Sequence, residues 1–348
     1  MIPLLMRDLP VPLRLVLTQV LVYRILIGHP KQPEIEKDLA KRKAGFRGEL
    51  ALRNFVKQLP QEKYVIFHDL QLEYNGFHFQ IDTLLISRNG ILIIEAKNIA
   101  GTLIFDNQFN QLIRVKPDGT EEIFEDPRVQ AERLRILLGR LLAKYGMNFL
   151  PIDQLVFFSS TKTFLKSNTN DPNAFKKVCK SRDIFKKIET FENTYNQPRV
   201  DEETIYKIAN FLLSHHTPQK INILKEYGLT RNDIRSGVRC PDCLHIPMVY
   251  DRRSWICPIC LYTSKDAFID SIRDYFLLIN SSITNAECRS FLHLPTVHTA
   301  QKKLHLLKLP YEGEKRGRLY FPLLEWEPQN IMATLENEQK YANFLIKG

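Results

Sequence analysis

Two apolar runs joined by a tight turn constrain this chain more than any other feature of its sequence. Residues 78–87 carry a mostly apolar block, residues 91–94 are apolar and largely β-branched, and residues 88–90 (Arg-Asn-Gly) suit the turn of a β-hairpin. A strand as apolar as 91–94 is expected at the centre of a sheet, where both faces are covered. The pattern therefore predicts an α/β fold built on a buried sheet.

Segments with helical spacing flank the hairpin. The charged run 34–43 opens a helix that should continue until Pro60, because proline cannot extend it. A second helix is predicted at residues 127–145, with Asp126 as its N-cap and Pro127 in its first turn. The remaining predictions are strands at 64–67 and 154–159, a polar meander at 101–124, and mainly helices at 171–234.

The size and charge of the chain set its general class. Its 348 residues are too many for one ordinary domain, and its 44% hydrophobic content excludes a disordered protein. A net charge of +10 favours a polyanionic partner, which leaves nucleic acid and an anionic membrane surface as candidates.

Residues 11–27 are the only candidate for a membrane segment. Arg14, Gln19 and Arg24 interrupt this stretch, whereas a bilayer span needs about 20 apolar residues. No small-residue cleavage site follows it, so a signal peptide is not indicated. Its apolar residues recur at helical spacing, and we predict an amphipathic helix packed on the protein, with a membrane anchor as the alternative.

Acidic residues and a lysine lie at the ends of the two hairpin strands. Asp82 and Glu95 flank the turn, which can bring their carboxylates side by side. Glu95 and Lys97 are two apart on a strand and therefore point to the same face. Mg²⁺ prefers oxygen ligands, and a lysine beside it can stabilise a charged transition state, so the group suits phosphodiester hydrolysis. The alternative is a surface ion pair between Glu95 and Lys97 at a strand edge.

The surroundings of these residues resemble a known family. Four motifs are similar, in this order, to those of the nuclease-related domain (NERD): residues 45–49 (Gly-Phe-Arg-Gly-Glu), 79–85 (Phe-Gln-Ile-Asp-Thr-Leu-Leu), 93–98 (Ile-Ile-Glu-Ala-Lys-Asn) and 126–130 (Asp-Pro-Arg-Val-Gln). The resemblance extends over roughly residues 40–165. It implies a restriction-endonuclease-like core of the PD-(D/E)xK superfamily, with a mixed sheet flanked by helices. Gln80 stands where the superfamily name places a proline, a departure that leaves the carboxylate of Asp82 intact.

The resemblance also implies a set of active-site residues. Asp82 and Glu95 correspond to the core Mg²⁺ (or Mn²⁺) ligands, and Lys97 corresponds to the catalytic lysine. Glu49 corresponds to a helix-borne acid beside the metal site, and Gln130 to a glutamine that contacts the phosphate or a metal-bound water. Taken alone, Glu49 could be a solvated helix residue, and Gln130 could be a hydrogen-bonding residue near a helix N-terminus.

Four of the six cysteines form two Cys-x-x-Cys pairs, Cys240 with Cys243 and Cys257 with Cys260. Two such turns supply four thiolates in tetrahedral geometry, which suits Zn²⁺ in a closed and therefore structural site. The strand-like residues between the pairs predict a zinc ribbon, and an iron–sulfur centre is the alternative. This use of cysteine indicates a reducing compartment, so we expect a cytoplasmic protein.

The residues after the ribbon have helix-turn-helix proportions. Helices are predicted at 266–279, 285–292 and 296–306, and the basic hairpin 313–320 could form a wing. The last helix is expected to expose His298, Gln301, Lys302 and His305. The cationic side chains expected to bind nucleic acid are Lys302, Lys303, Lys315, Arg316 and Arg318. The alternative is a small helical bundle with a solvated basic face.

These predictions divide the chain into five segments: an N-terminal helical segment (1–43), a nuclease domain (44–165), a helical connector (166–235), the zinc ribbon (236–265) and a small winged-helix-like domain (266–348). The expected function is Mg²⁺-dependent hydrolysis of DNA by a bacterial enzyme, with no small-molecule cofactor and no membrane. Two alternatives remain, a non-catalytic DNA-binding or regulatory protein with a degenerate core and a nuclease that acts on RNA. The joint presence of Asp82, Glu95 and Lys97 favours catalysis, and no aromatic-rich strand signature indicates RNA recognition.

Overall fold

The computed structural model describes residues 5–60, 62–169 and 174–326 of the chain. Contacts between residues divide it into two compact units. Of the described residues, unit 1 contains 5–10 and 44–219, and unit 2 contains 11–43 and 220–326.

The helices of the described residues, in chain order, are α1 (Leu13–Arg24), α2 (Gln32–Val56), α3 (Pro127–Lys144), α4 (Ile184–Thr194), α5 (Glu202–Ser214), α6 (Ile223–Glu226), α7 (Phe268–Leu278), α8 (Asn285–Leu292) and α9 (Val297–Leu306). The strands are β1 (Leu5–Arg7), β2 (Val65–Tyr74), β3 (Phe77–Ile86), β4 (Ile91–Lys97), β5 (Gly101–Asp106), β6 (Gln111–Val115), β7 (Glu121–Glu125), β8 (Ile152–Phe158), β9 (Thr163–Ser167), β10 (Val178–Lys180), β11 (Val249–Asp251), β12 (Ser254–Ile256), β13 (Thr263–Ser264), β14 (Ile283–Thr284), β15 (Tyr311–Glu312) and β16 (Leu319–Tyr320). Helix α2 begins in unit 2 and ends in unit 1.

Unit 1 is built on a six-stranded mixed sheet with the order β1-β2-β3-β4-β8-β10. Strands β2, β3 and β4 form an antiparallel meander, whereas β1 pairs parallel with β2, and β8 and β10 extend the sheet in parallel beyond β4. Strand β4 is central, because Ile93 is buried on one face of the sheet and Ile94 on the other. The hairpin and the α/β class predicted from sequence are confirmed.

Helices cover both faces of this sheet. Helices α3 and α5 lie on one face, where Leu138 and Ile208 are fully buried. The last turns of α2 lie on the other face with α4, where Leu52 and Ile184 are fully buried. Burial of one such side chain stabilises the fold by about 1.5–3 kcal/mol, so residues as late as α5 contribute to the same core as the central hairpin.

A second, four-stranded sheet with the order β7-β6-β5-β9 accounts for the predicted polar meander. Its inner face carries Leu103, Phe105 and Leu112, which share a core with Ala131 of α3 and Phe158 of β8. The segment predicted to be mainly helical contains one further strand, β10. With three residues, β10 is too short to show a period in the sequence, and its pairing with β8 is decided by tertiary contacts.

Unit 2 contains α1, the first part of α2, and the elements from α6 to β16. Strands β11, β12 and β13 form one small sheet around the cysteine pairs, and β14, β16 and β15 form another next to α8 and α9. Trp255 of the first sheet and Leu304 of α9 are both fully buried in a single hydrophobic core. The cysteine-rich segment and the last helices therefore fold as one body within unit 2.

Helix α1 has the buried apolar face that the sequence predicts, with Leu15, Leu17 and Leu21 in the interior. It also buries Arg24 completely, with the guanidinium Nε donating to Asp274 Oδ2 at 2.8 Å. Nη1 of the same guanidinium donates to two backbone carbonyls, and the group lies 4.9 Å from the centre of a phenylalanine ring. Among the described residues, none of the helices is both long enough and apolar enough to cross a membrane.

Candidate active site and metal centre

The Asp82 carboxylate lies where the ladder between β3 and β4 ends. Thr83 and Ile94 are the last residues in register. Beyond them, Asp82 Oδ2 accepts a hydrogen bond from the Ala96 N–H at 2.8 Å, in the place of a backbone carbonyl. This bond fixes the carboxylate of Asp82 next to the end of β4, where Glu95 is located.

Lys97 connects β4 with helix α3. Its Nζ donates to Glu95 Oε1 at 2.7 Å and to Gln130 Oε1 at 2.8 Å. The Glu95 side chain is 4% exposed and that of Lys97 is 24% exposed, so Lys97 is the more exposed partner of this pair. Asp126 caps α3 by accepting the Arg128 N–H at 2.8 Å, as predicted, and the start of the helix fixed in this way holds Gln130 in its first turn.

Helix α2 brings Glu49 to the same place, because Gly48 allows close packing. A Cβ atom on Gly48 would lie 2.9 Å from the Asn98 Cβ and 3.3 Å from the Ser159 Oγ. The Asn98 side-chain amide also donates to the Ala44 carbonyl at 2.7 Å. Helix α2 is therefore held directly against the residues that follow β4 and β8. This packing argues against the alternative in which Glu49 is a solvated residue on a helix surface.

The electrostatics of the group show an excess of negative charge. Burial raises the pKa of Glu49 to about 8, with further increases from the carboxylates of Asp69 and Glu95. Burial, then Glu95 and Glu49, likewise raise the pKa of Asp82 well above its ordinary value. For Lys97, burial lowers the pKa, but the attraction of Glu95 and Asp82 outweighs it, so the pKa is raised. One cation stands against three carboxylates here, and a divalent cation would balance the remaining charge.

Glu49 provides a direct indication of where such a cation fits. Its Oε2 atom is buried and makes no hydrogen bond with any of the described residues. A buried carboxylate oxygen without a partner costs about 1–3 kcal/mol or more, and a metal ion would satisfy it. Glu49, Asp82 and Glu95 are therefore the residues that could hold Mg²⁺ or Mn²⁺.

Asp69 on β2 is an acidic neighbour of this group that the sequence analysis did not identify. Its side chain is buried, its oxygens accept from Arg7 at 2.9 Å and from Gln71 at 3.0 Å, and its backbone has φ 51°. Both oxygens are engaged, so Asp69 acts on Glu49 through its charge and is not free to bind a metal. No local pattern indicates it, because Arg7 approaches only through the long-range pairing of β1 with β2.

Gly48→Ala is expected to reduce any activity of this site roughly 10- to 100-fold, the range seen when the support of a metal ligand is lost. The added Cβ would push α2 away from the Asn98 backbone and withdraw Glu49. Gly45→Ala is the matched control on the same helix, because a Cβ there meets nothing within 4 Å. It should stabilise the helix by about 0.5–1 kcal/mol and leave activity unchanged. Equal activity in the two variants would contradict this account of the helix.

The four cysteines of the two pairs meet in unit 2. Their sulfur atoms all lie within 4.8 Å of one another, with 3.6 Å between Cys240 and Cys260 and 3.4 Å between Cys243 and Cys257. Four sulfurs at the usual Zn–S distance of about 2.3 Å would be separated by about 3.8 Å, so the arrangement fits a zinc ion. Burial raises the pKa of the Cys257 thiol, but backbone N–H groups of residues 259 and 260 outweigh it and lower this pKa to about 7. A backbone hydrogen bond lowers the pKa of Cys260, but burial and hydrogen bonds among the thiols outweigh it and raise this pKa to about 12, so without a metal ion a thiolate is favoured at Cys257 and not at Cys260.

Removal of zinc is expected to unfold the cysteine-rich part of unit 2, because its small strands β11–β13 depend on the four sulfurs. Trp255 is the reporter, being fully buried and stacked on Phe268 with 5.1 Å between ring centres. Its emission should shift to the red when a chelator is added to the parent protein. Cys240→Ser combined with Cys243→Ser should lose about one zinc per chain by metal analysis, whereas Cys179→Ala in unit 1 should retain it. Equal zinc in all three proteins would contradict the ligand set.

The basic residues predicted to bind nucleic acid are not all on one surface. Lys302 and Lys315 are exposed, and Arg318 lies 4.2 Å from the centre of the Tyr311 ring. Lys303 is placed differently, because its ammonium lies over the Trp255 ring at 4.5 Å. Its contact with nucleic acid stays a prediction. This residue follows the spacing of the buried face of α9, which the sequence analysis did not weigh against its charge. The side chain of Arg316 lies outside the part of the chain that the structure describes.

A comparison with protein-family models found one match, to the nuclease-related domain (NERD), over residues 44–159. A search of curated proteins and a search of solved structures found no match. The matched range lies within unit 1 and contains Glu49, Asp82, Glu95, Lys97 and Gln130. Residues 44–159 are thus similar to the nuclease-related domain, which supports a nuclease-related function for this chain.

Proposed function

We propose that unit 1 is a metal-dependent nuclease with a restriction-endonuclease-like core. The observation that carries this proposal is the convergence of Glu49 from α2, Asp82 from β3, and Glu95 with Lys97 from β4. The order of elements supports it, since α2 precedes the antiparallel strands β2, β3 and β4, and α3 then leads to the parallel strand β8. The result is a mixed sheet flanked by helices, which is the core that the resemblance to the PD-(D/E)xK superfamily implies.

Asp82, Glu95 and Glu49 would hold a Mg²⁺ (or Mn²⁺) ion. When bound, such an ion supplies positive charge that neutralises the phosphate and lowers the pKa of a coordinated water. The unpartnered oxygen of Glu49 supports this ligand set. Asp82 is held in place by the Ala96 N–H, so one of its oxygens is oriented by the backbone and the other is left for the ion.

Lys97 would stabilise negative charge on the phosphate in the transition state. An ammonium group has three donors, and two are engaged by Glu95 and Gln130. The third is available to a phosphate oxygen, and the two existing bonds fix its direction before substrate binds. Gln130 therefore acts as a positioning residue for Lys97, which refines the direct contact with phosphate or water expected from sequence.

DNA is the proposed substrate, and the four cysteines would hold a structural zinc. The net charge of +10 supports a polyanionic substrate. A closed four-cysteine site keeps no open position for catalysis, which supports unit 1 as the proposed location of hydrolysis. Cysteine pairs that bind a metal ion in place of forming disulfides fit a reducing compartment such as the cytoplasm.

The parent protein should cut DNA only when a divalent cation is supplied. The test is a cleavage assay with Mg²⁺, Mn²⁺, Ca²⁺ or no added divalent ion, on duplex DNA, single-stranded DNA, nicked duplex and RNA. Cleavage of DNA with Mg²⁺ or Mn²⁺ and none without them supports the proposal. Cleavage of RNA but not DNA would support the alternative of a nuclease that acts on RNA. A lack of cleavage with every ion would support the alternative of a non-catalytic DNA-binding or regulatory protein.

A further inference from the structure

The last elements of unit 2 have the connectivity of a helix-turn-helix followed by a hairpin. Helix α7 leads through β14 to α8 and α9, and the chain then returns through β15 and β16. Strand β16 pairs antiparallel with both β14 and β15, which closes the small sheet in the order β14-β16-β15. Thr284 and Thr296 cap α8 and α9, so both helix starts are fixed by side chains.

Helix α9 has one buried face and one polar face. Ala300 and Leu304 lie in the core, and they hold the helix against α8. The exposed polar residues of the opposite face are His298, Gln301, Lys302 and His305, and the exposed Lys308 follows shortly after the helix ends at Leu306. None of the charged residues in this stripe is acidic.

A groove of about 630 Å³ lies between this stripe and the hairpin formed by β15 and β16. Its cationic lining residues are Lys302, Lys308 and Arg318, and no carboxylate of the described residues lines it. The acids of the hairpin, Glu312 and Glu314, are exposed outside the lining. The groove is therefore complementary to an anionic ligand that is large enough to span a helix and a hairpin.

We infer that this groove binds duplex DNA, with α9 in the major groove and the hairpin against the backbone. An α-helix is about 10–12 Å across, which matches a major groove about 12 Å wide. Ten residues of α9 extend over about 15 Å, enough to pass several base pairs. Gln301 and Lys302 have the donors that read base edges, and Lys308 and Arg318 are placed to contact phosphates.

The inference rests on the proposed nuclease function and specifies its substrate as duplex rather than single-stranded DNA. Single strands are bound by exposed aromatic rings on which bases stack. Tyr311 is the exposed aromatic residue of the groove lining, and the Arg318 guanidinium lies 4.2 Å from its ring centre, so one face of this single ring is already occupied. The exposed stripe of α9 itself has no Phe, Tyr or Trp, so it offers hydrogen bonds and charge in place of stacking.

Lys303 and the zinc site give this helix a rigid support. The Lys303 ammonium lies 4.5 Å from the Trp255 ring centre and 4.7 Å from that of Phe268. Burial accordingly lowers the pKa of Lys303. The ribbon thus holds the side of α9 that faces away from the groove, which keeps its polar stripe presented as one surface.

The test measures DNA binding by the full chain carrying Asp82→Asn, without added divalent ions or chelator. This background removes cleavage while retaining zinc, so a failure of the nuclease proposal does not alter the binding result. Fluorescence anisotropy should show at least tenfold tighter binding to a 20-base-pair duplex than to either of its strands. Lys302→Gln combined with Lys308→Gln should weaken duplex binding at least tenfold and reduce the slope of log affinity against log salt by about 2.

The matched control is Lys37→Gln combined with Lys225→Gln, two exposed lysines of unit 2 that do not line the groove. This variant loses the same charge and should bind duplex within about twofold of its parent. Tryptophan emission of each variant checks that unit 2 remains folded. Tighter binding to single strands, an equal loss in the two double variants, or no loss in the groove variant would each overturn the inference.

Discussion

Asp82→Asn is expected to reduce DNA cleavage at least about 1,000-fold while it raises the melting temperature of the metal-free protein. The amide retains an oxygen to accept the Ala96 N–H, so the end of the β3–β4 hairpin keeps its geometry. It removes one of the carboxylates that repel Glu49 and Glu95 in a partly buried site. The gain should be about 1 kcal/mol, which corresponds to roughly 2–4 °C for a domain of this size.

The increase in stability that Asp82→Asn gives the metal-free protein should grow as the pH rises. The pKa of Glu49 is about 8 and that of Asp82 is raised, so the folded protein holds protons that the unfolded chain releases near pH 4. Stability of the metal-free parent is therefore lost as the pH rises from about 4.5 towards 8. The melting temperature of the Asp82→Asn variant should be close to that of the parent at pH 5 and higher than that of the parent at pH 8.

Circular dichroism measures this melting, and Glu121→Gln on β7 is the control. Glu121 is an exposed carboxylate of unit 1, so its neutralisation should change neither the melting temperature nor cleavage. If Asp82→Asn melted below its parent at pH 8 and still cut DNA, both the electrostatic account and the ligand role of Asp82 would be wrong.

Asp274→Leu is expected to destabilise unit 2 by about 3–5 kcal/mol, because it leaves a buried charge without a counterion. Arg24 is fully buried, and Asp274 is the carboxylate that accepts from its guanidinium at 2.8 Å. Two backbone carbonyls would remain as acceptors, and they carry no compensating charge. Burial already lowers the pKa of Arg24, which shows how unfavourable this environment is for the cation.

The double variant Arg24→Met with Asp274→Leu shows how much of the destabilisation comes from leaving Arg24 without a counterion. It removes both charges of the pair, whereas Asp274→Leu removes only one. It should recover part of the stability, because it removes the fully buried charge of Arg24. Arg239, whose Nε lies 3.4 Å from the same Asp274 oxygen, loses that partner in both variants and so does not affect the comparison between them. Both tryptophans of the chain, Trp255 and Trp326, lie in unit 2, so tryptophan emission follows the unfolding of that unit alone. The role given to this pair would be refuted if the free energy of unfolding of Asp274→Leu lay within about 0.5 kcal/mol of that of the parent. It would also be refuted if the double variant were less stable than Asp274→Leu.

Local patterns were sufficient to predict the parts of the fold that local residues decide. The hairpin of β3 and β4, the cap of α3 at Asp126 and the cap of α9 at Thr296 each follow from a few adjacent residues. The same holds for the candidate site, since Glu95 and Lys97 share a face of one strand. Gly48 belongs to the motif at residues 45–49, but the motif does not show why a glycine is needed there. The reason is close packing against Asn98, which lies near Gly48 only in the folded chain.

Features that depend on long-range contacts could not be predicted in this way. The amphipathic pattern of α4 and α5 gives their apolar faces but not their partners, and the structure packs them on opposite faces of the main sheet. Asp69 influences Glu49 only because β2 and α2 meet in space. Lys303 carries a charge typical of a phosphate contact, yet its position on the inner side of α9 directs it to Trp255.

Single-turnover cleavage of a labelled duplex by the parent and by Lys97→Met tests the central claim most directly. Methionine matches the lysine side chain as far as Cε and removes the ammonium that Glu95 and Gln130 orient. With Mg²⁺, we expect the parent to cut the duplex and the variant to cut it at least about 1,000-fold more slowly, with unchanged affinity for DNA. Equal rates for the two proteins, or a parent that cuts with no divalent ion, would contradict the account.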